Sequence, residues 1–198
     1  MALILEPKEG DTLLSPDELN LIIPSYITNR IQLDEVEQAN IEDAMQWIYL
    51  SGSIKPKTLF TREFQNSLHK RMLGNTWKWA GQTRKKETNI GVLPYEIEIR
   101  RKQLNDNALY WVENKTFLAL ELAVRFHHEL VKIHCYPNGN GRHSRIMADL
   151  ILMKIYNLPE INWIGDGLIN ESESRKAYIE AMKLADKGDF TLLLNCII

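Results

Sequence analysis

The sequence predicts an all-α fold that carries a small β-hairpin. Long segments repeat apolar residues every three or four positions, which is the spacing of a helix with one buried face. The regular alternation of strands and helices that a βαβ fold requires is missing from the sequence. The 198 residues are 44% hydrophobic and 25% charged, as in an ordinary soluble globular domain.

The chain begins with a segment of low regularity and then enters its first long helix. Residues 1–30 are predicted to form an irregular arm with at most short helices, because three prolines interrupt it. Residues 33–50 have helical apolar spacing and are predicted to form an amphipathic helix that ends near Gly52. We divide the chain into an N-terminal arm and helix, 1–44, and a main domain, 45–198.

The next segment combines a helix with a break in helical pattern. Thr58 is predicted to cap a helix that places Phe64, Leu68 and Met72 on its inner face. The pattern then stops over residues 74–95, where glycines bracket a basic, extended stretch. This stretch is predicted to form a hairpin or flap.

The rest of the chain is predicted to be helical. Leu104–Trp111 resumes helical character, and Thr116 opens the strongest amphipathic pattern of the sequence. A mostly apolar and therefore buried helix is predicted from Arg142 to Tyr156. The last two predicted helices cover Ser172–Ala185 and Phe190–Ile198.

Several classes of function do not fit the bulk composition. Lys and Arg number 24 against 26 Asp and Glu, so no basic surface for a nucleic-acid partner is predicted. Cys135 and Cys196 form no CxxC pair, which argues against a disulfide framework or a thiolate metal site. The sequence contains no apolar run of about 18 residues, so no membrane span is predicted. The N-terminus lacks the pattern of a signal peptide, so a cytoplasmic location is expected.

The chemistry is predicted to lie in the loop HCYPNGNGRHSR, residues 134–145, between the two strongest helices. Its two Asn-Gly pairs favour turns, and Arg142 is predicted to begin the next helix. A helix N-terminus with an arginine beside it is an anion site, and His134 on the other side of the turn is able to accept a proton. A base next to a phosphate cradle suits attack of a hydroxyl on phosphorus. The loop lacks the glycine pattern of dinucleotide-binding folds and of P-loops.

At these residues the sequence resembles the Fic family, which has the Fido fold and the signature H-P-F-x-(D/E)-G-N-G-R-x-x-R. Six of the nine defined positions are met, and Tyr136 replaces the aromatic residue. The ending PNGNGRH is similar to the subgroup called mobile mystery protein B. WAGQTR at 79–84 with NIG at 89–91 is similar to the family's flap, so the resemblance implies a Fic/Fido helical core with a small β-hairpin flap over 45–198.

The resemblance implies a protein adenylyltransferase that moves AMP from ATP to a Ser, Thr or Tyr hydroxyl of a target protein. His134 would be the general base on that hydroxyl, and ATP would come with Mg²⁺ or Mn²⁺. The flap would pair with the backbone of the target as an added strand. The implied nucleotide-binding residues are Asn138, Gly139, Asn140, Gly141, Arg142 and Arg145. The implied flap residues are Thr88, Asn89, Ile90, Gly91 and Val92.

Two positions raise questions about activity and its control. Asn138 stands where the family has an acid that anchors magnesium, and a neutral amide is expected to bind the metal more weakly. Members of the family carry an inhibitory glutamate that pairs with the second arginine of the signature. Glu37 has the nearest context, so we expect it to reach Arg145. The alternative is that Glu37 lies on the solvated face of its helix with Glu35 and Glu42.

Other interpretations remain open on the sequence alone. Transfer of a different nucleotide or of a phosphate is an alternative, since the motif positions phosphates and says little about the base. Asn138 instead fits a degenerate member that binds nucleotide and acts as a toxin-like module with a small regulator or antitoxin. His127 and His128 are expected to be one core and one surface residue rather than metal ligands, because neighbouring side chains on a helix point about 100° apart. His143 is expected to be exposed.

Overall fold

The computed structural model describes residues 15–163 and 171–195. Helices dominate this part of the chain, which confirms the all-α prediction. The predicted arm therefore lies partly outside the described residues, and the end of the predicted last helix lies wholly outside them. The α-helices are α1 (Pro16–Leu19), α2 (Arg30–Leu50), α3 (Pro56–Leu59), α4 (Arg62–Leu73), α5 (Ile97–Asn114), α6 (Ala119–Ile133), α7 (Asn140–Leu150), α8 (Glu171–Ala185) and α9 (Thr191–Asn195).

Helix α6 lies at the centre of the hydrophobic core. It packs against α5 on one side and α7 on the other, and α2 packs on α4. Leu122, Ala123 and Phe126 of α6 are fully buried, and the Phe126 ring lies 5.1 Å from that of Phe60. The strong apolar periodicity of this segment reflects its burial against neighbours on several sides.

Two helices begin at other residues than the sequence predicted, because a different threonine or a proline sets their first turn. Thr61, and not Thr58, caps α4, because its Oγ1 accepts from the Phe64 N–H at 3.2 Å. Thr58 lies inside the short α3, which begins at Pro56. Helix α5 begins seven residues before the predicted Leu104, directly after a 3₁₀ turn that Pro94 opens. Helix α7 continues beyond Leu150 as a π-helical turn.

Helix α2 runs unbroken across the proposed boundary between residues 44 and 45. Its cap is Asn29, whose side chain accepts from the Gln32 N–H at 3.0 Å. The buried face combines apolar and polar side chains at helical spacing, and Glu37 and Asn40 are its polar members. The division of the chain at residue 44 therefore marks no structural break and remains a prediction about function.

The hairpin predicted within 74–95 is absent from this described segment, which forms turns and bends that lead into the 3₁₀ turn. Trp77 forms one antiparallel bridge, with Ile22. The backbone of the flap region bonds instead to the Arg84 side chain and to the end of α6. These partners replace the cross-strand ladder that a hairpin needs. No described helix has the length and apolar character to span a bilayer.

Candidate active site

The loop between α6 and α7 is shaped by two residues with left-handed backbone. His134 ends α6 with φ 58°, and Gly139 precedes α7 with φ 76°. A Cβ on Gly139 would lie 2.6 Å from the Leu73 Cδ1, so the loop packs directly on α4. Glycine is therefore required both by the backbone angle and by the close approach. The two reversals place His134 and the N-terminus of α7 at opposite ends of one tight loop.

Asn140 closes this loop through its side chain. Its Oδ1 accepts from the Tyr136 N–H at 2.9 Å, and its Nδ2 donates to the Tyr136 carbonyl at 2.8 Å. Both polar atoms of the buried amide are thereby engaged. The side chain of Asn140 therefore holds the loop, and its backbone N–H is the group that remains for the predicted phosphate contact.

The N-terminus of α7 offers backbone donors. The His143 N–H makes the first intrahelical bond, to the Gly139 carbonyl at 2.9 Å. The N–H groups of Asn140, Gly141 and Arg142 consequently have no partner within the helix. A Cβ at Gly141 would meet no atom within 4 Å, so this turn faces open space. Together with the helix dipole, the arrangement is suited to an anion.

His69 supports the loop from α4 and was missed by the sequence reasoning. Its Nδ1 accepts from the Gly81 N–H at 2.9 Å, so Nε2 carries the proton and donates to the Asn138 carbonyl at 3.0 Å. Its ring stacks on Tyr136 with centroids 3.8 Å apart. Burial lowers the pKa of His69 to about 3, which keeps the ring neutral. Its only signal in the sequence is a polar residue on the inner face of a helix.

His134 is held as a neutral imidazole. The side chain is buried, and this burial, with a further contribution from the positive charge of Arg84, lowers its pKa to about 4. Nδ1 lies 3.3 Å from the Val131 carbonyl, to which it donates. The proton of the neutral ring is thereby assigned to Nδ1, and Nε2 is left with the lone pair that a general base needs.

Glu37 reaches the motif, but at a different arginine from the one expected. Its Oε2 lies 2.7 Å from Arg142 Nη1, and its Oε1 accepts from the Trp77 indole at 2.6 Å. The ion pair is thus with Arg142, and the expectation of Arg145 is wrong. The two arginines lie one turn apart on α7, and the buried side chain of Glu37 on α2 contacts the first of them, Arg142. Glu37 is buried whereas Glu35 and Glu42 are exposed, so it does not belong to a solvated face.

Arg145 lies one turn further along α7 and is partly buried. Its charge acts on His127, whose pKa is lowered to about 3, first by burial and then by this guanidinium. The residue is engaged within the structure rather than free. The anion site at the α7 N-terminus is therefore built from backbone groups and Arg142, with Arg145 beyond them.

The flap residues 88–92 lie over His134. Asn89, Ile90 and Gly91 are exposed, while the Val92 N–H is 3.4 Å from the Ile133 carbonyl. The flap is thus attached to the end of α6 at one side and open at its tip.

The other histidines are buried, contrary to expectation for two of them. His128 and His143 are each 1% exposed. His128 Nε2 lies 3.0 Å from Asp186, and His143 Nε2 lies 3.0 Å from the Gln65 carbonyl. Short-range helical patterns could not show that α4 and the turn after α8 cover these faces. His127 Nε2 lies 2.8 Å from the Tyr178 hydroxyl oxygen. His127 is therefore the core residue that was expected of the pair His127 and His128.

A magnesium ion would find one side-chain oxygen in the motif loop, Oδ1 of Asn138. This oxygen already accepts from the Gly139 N–H, but a carbonyl oxygen has a second lone pair. Mg²⁺ commonly binds one or two protein oxygens together with phosphates and water. The residues therefore fit an ion that arrives with a nucleotide and is held weakly. Within the described ranges, no group of three or more His, Cys, Asp or Glu side chains could hold a metal.

A model of the Fic/DOC family matches residues 59–152, which include α4 to α7 and the loop described above. Residues 59–152 of the chain belong to the Fic/DOC family. This confirms the family predicted from the signature, whereas membership of the mobile mystery protein B subgroup stays a prediction. The Fic signature of this chain is thus the loop on which His134, Arg142 and the α7 N-terminus meet.

Curated Fic relatives are named protein adenylyltransferases. The chain is 30% identical over 127 residues to protein adenylyltransferase fic-1 of Caenorhabditis elegans, covering 62% of this chain and 23% of the relative. It is 26% identical over 190 residues to protein adenylyltransferase Fic of Drosophila mojavensis, covering 91% of this chain and 35% of the relative. The chain therefore spans about a quarter to a third of the length of these relatives.

Solved Fic structures share the fold. Fic-1 (residues 134–508) of C. elegans superposes with a TM-score of 0.66 at 24% identity, covering 95% of this chain and 55% of that one. The N-terminal Fic domain of a Bartonella effector protein from Bartonella sp. AR 15-3 superposes with a TM-score of 0.69 at 17% identity, covering 90% of this chain and 89% of that one. BepC from Bartonella tribocorum with bound AMPPNP superposes with a TM-score of 0.66 at 17% identity, covering 90% of this chain and 94% of that one.

Proposed function

We propose that this Fic protein transfers AMP from ATP to a hydroxyl side chain of a target protein. The observation that carries the proposal is the neutral His134, held beside the open N-terminus of α7 in the Fic signature. The names of the curated relatives and the AMPPNP bound to BepC support ATP as the donor. The composition offers no basic surface for nucleic acid, so a protein remains the proposed acceptor.

In the proposed reaction, Nε2 of His134 removes the proton from the target hydroxyl as its oxygen attacks the α-phosphorus of ATP. The new phosphorus–oxygen bond replaces the bond to the β-phosphate, and pyrophosphate leaves. The N–H groups at the start of α7 and the guanidinium of Arg142 stabilise the negative charge that shifts on the phosphates. Mg²⁺ or Mn²⁺, held by Asn138 and the phosphates, would neutralise part of the charge of the leaving group.

The flap is the proposed docking segment for the target. Residues 88–92 are open at the tip and attached near His134 at the base. An extended target segment paired with this backbone would present its hydroxyl toward the base, as in β-augmentation. The described flap residues form no hairpin of their own, so a paired target segment would be the first strand to lie against them.

We further propose that the described form is auto-inhibited. The carboxylate of Glu37 occupies the Arg142 guanidinium, which an anionic phosphate would otherwise contact. The exposed fraction of the Glu37 side chain is 7%, so the negative charge lies within the site rather than in solvent. Binding of ATP would require Glu37 to leave Arg142, by a shift of α2 or of the side chain.

Asn138 favours a second candidate function. A neutral residue at the metal position suits a degenerate member that binds nucleotide without turnover, as a toxin-like module controlled by a small regulator or antitoxin. Transfer of another nucleotide or of a phosphate is an alternative within the enzymatic class.

The proposal is tested with ATP labelled at the α-phosphate or at the γ-phosphate. Purified protein with Mg²⁺ or Mn²⁺ is expected to label itself or a protein in a cell extract from the α-position alone, and His134→Ala is expected to abolish the labelling. Label from the γ-position would establish phosphate transfer instead. ATP binding with no labelling by either compound would favour the degenerate module, and equal labelling by His134→Ala would exclude the proposed base.

A further inference from the structure

Arg84 connects the flap to the backbone of His134. Its side chain is 4% exposed, and its guanidinium donates to three backbone carbonyls. Nε donates to the His134 carbonyl at 2.6 Å, Nη1 to the Lys86 carbonyl at 2.9 Å, and Nη2 to the Val92 carbonyl. The Arg84 backbone N–H adds a bond to the Cys135 carbonyl at 2.9 Å.

The three acceptors belong to different parts of the site. Lys86 and Val92 stand at the two ends of the flap, and His134 is the proposed base. A planar guanidinium presents its donors in a fixed fork, so the three carbonyls are held in one plane relative to each other. A lysine at this position would keep the charge but would not reproduce the fork. The backbone of the base and both ends of the flap are thereby fixed by one side chain.

Gly91 brings the flap into contact with the base from the other side. Its φ is 110°, and a Cβ there would lie 2.5 Å from the His134 Cβ and 2.7 Å from Arg84 Nη2. No side chain fits between the flap backbone and these two residues. The flap therefore contributes to the burial of His134, and the contact depends on the position in which Arg84 holds it.

We propose that Arg84 is a positioning residue that fixes the flap and His134 as one unit, so that a hydroxyl docked on the flap meets Nε2 of the base. This inference rests on the transferase function proposed above. It assigns to Arg84 no contact with ATP or with the reacting atoms. Its effect on the reaction is exerted through the backbone of His134 and of the flap.

The same arrangement affects protonation of the base. Among the described residues, Arg84 is the charged group that, after burial, holds the pKa of His134 at about 4. Arg84→Gln removes both the charge and the fork, whereas Arg84→Lys removes the fork and keeps the charge. The two variants therefore separate the electrostatic effect of Arg84 from its geometric effect.

The first experiment measures the pKa of His134 by NMR, with the resonance assigned by its loss in His134→Ala. We expect Arg84→Gln to raise the pKa above the wild-type value of about 4 while burial keeps it below 6.5, and the wild-type pKa to be retained in Lys85→Gln, which removes a neighbouring exposed charge. An unchanged pKa in Arg84→Gln would overturn the proposed contact. This readout requires no enzymatic activity, so it stands even if the wild-type protein transfers nothing.

The second experiment compares transfer with ATP binding. We expect Arg84→Lys and Arg84→Gln to lower the transfer rate by about 100-fold, the scale of a misplacement of about 1 Å, while ATP binds as in wild type. Transfer at the wild-type rate, or a loss of transfer that only parallels the loss of folded protein, would overturn the proposal.

Gly91→Ala provides the same test without altering Arg84. The methyl group would displace the flap from His134, so transfer is expected to fall while ATP binding is kept. Wild-type transfer by folded Gly91→Ala would contradict the proposed unit. If neither the wild-type protein nor any variant shows transfer, the proposed function has failed, and the NMR result alone decides the position of Arg84.

Discussion

At the residue scale, Asn138 is the position where this chain departs most from the chemistry of its family. Its side-chain oxygen accepts from the Gly139 N–H, and its backbone carbonyl accepts from His69. The residue is thus well suited to hold the loop in place, and it contributes no negative charge. In the proposed reaction, the nucleotide would therefore bring the metal.

We expect Asn138→Asp to raise the transfer rate at low magnesium concentration. The carboxylate keeps the acceptor for the Gly139 N–H and adds the charge that a hard cation prefers. The measurement is the transfer rate of wild type and variant over a range of Mg²⁺ concentrations, with Asn138→Ala as the control that removes the oxygen. If Asn138→Asp needs as much Mg²⁺ as the wild type, Asn138 is not a metal ligand.

Glu37 gives a second prediction at this scale. Glu37→Ala is expected to tighten ATP binding by about tenfold, because a hydrogen-bonded charge pair contributes about 1.5 kcal/mol and each 1.4 kcal/mol is a factor of ten. Glu35→Ala, on the same helix but exposed, is the matched control for helix propensity. Calorimetric titration with ATP measures both. Equal affinities of Glu37→Ala and Glu35→Ala would show that Glu37 does not obstruct the nucleotide.

The sequence predicted the role of a residue where that role depended on its neighbours along the chain. The loop with His134, the glycines and Arg142 could be recognised because all its elements lie within twelve consecutive residues. The arginine that Glu37 contacts could not be predicted, since it depends on how α2 lies across α7. The roles of His69 and Asn140 also depend on contacts, because their sequence context does not distinguish a structural amide or imidazole from a ligand.

At the scale of elements, α2 is held to the site by a polar seam. Trp77 donates to Glu37, and Asn40 donates to the Thr76 Oγ1 at 2.6 Å. Asn75 completes the seam by donating to Asn40 at 2.9 Å. The apolar periodicity predicted the helix, but its buried face includes Glu37 and Asn40, which hydropathy assigns to solvent. Polar residues at core-facing positions were the signal that this helix reaches a site.

We expect Trp77→Phe to destabilise the fold by about 1–3 kcal/mol and to loosen the hold on Glu37. The substitution keeps the aromatic contact with Trp79, at 4.9 Å, but leaves a buried carboxylate oxygen without its donor. Denaturant unfolding measures the stability, and ATP affinity measures the release of Arg142.

Trp79→Phe is the matched control for this substitution. The Trp79 indole N–H is buried and has no hydrogen-bond partner among the described residues, so its removal is expected to cost little. Equal destabilisation by Trp77→Phe and Trp79→Phe would show that the bond to Glu37 contributes nothing.

The flap shows where element prediction from sequence reached its limit. Its basic, glycine-containing stretch was correctly set apart from the helices, but its local pattern could not reveal that Arg84 satisfies its carbonyls. A side chain from the base of the flap replaced the strand pairing that a hairpin would have used. Local composition thus identified a non-helical segment and could not fix its conformation.

At the scale of the whole molecule, buried neutral imidazoles link folding to pH. Burial is the main cause that lowers the pKa of His69 and His127 to about 3 and that of His134 to about 4. In the unfolded chain these groups take up protons near pH 6.5, whereas in the folded chain they remain neutral down to these lower values. Between about pH 6.5 and 4 the unfolded state therefore binds more protons, and stability falls as the pH falls.

We expect the free energy of unfolding to fall by several kcal/mol per pH unit below pH 6, since each of these groups contributes up to about 1.4 kcal/mol per unit and His143, whose pKa burial also lowers, adds a fourth. Urea unfolding at pH 7, 6 and 5 measures this. Contacts with Arg101 and His128, respectively, lower the pKa values of Glu98 and Glu129 from 4.5, so protonation of these carboxylates adds to the loss of stability only below about pH 5. Equal stability at pH 7 and pH 5 would show that these imidazoles are protonated in the folded protein.

The near-balance of charge over the whole chain conceals a local arrangement. The formal net charge of −2 gives no sign of the phosphate site that we propose at Arg142 and the α7 N-terminus, where Glu37 pairs with Arg142. The family, the helical fold and the central loop were predictable from the sequence. The balance between the phosphate site and its internal carboxylate emerged only from the packing of α2 on the rest of the molecule.

We propose that His134 acts as the base in AMP transfer at a site that Glu37 restrains. The most direct measurement compares Glu37→Ala with the double variant Glu37→Ala/His134→Ala after incubation with ATP, Mg²⁺ and a cell extract. The intact mass of each variant reports AMP added to the protein itself, and ATP labelled at the α-phosphate reports AMP added to proteins of the extract. The account predicts AMP addition to the protein or to an extract target with Glu37→Ala and none with the double variant. No addition in either case, or equal addition in both, would contradict it.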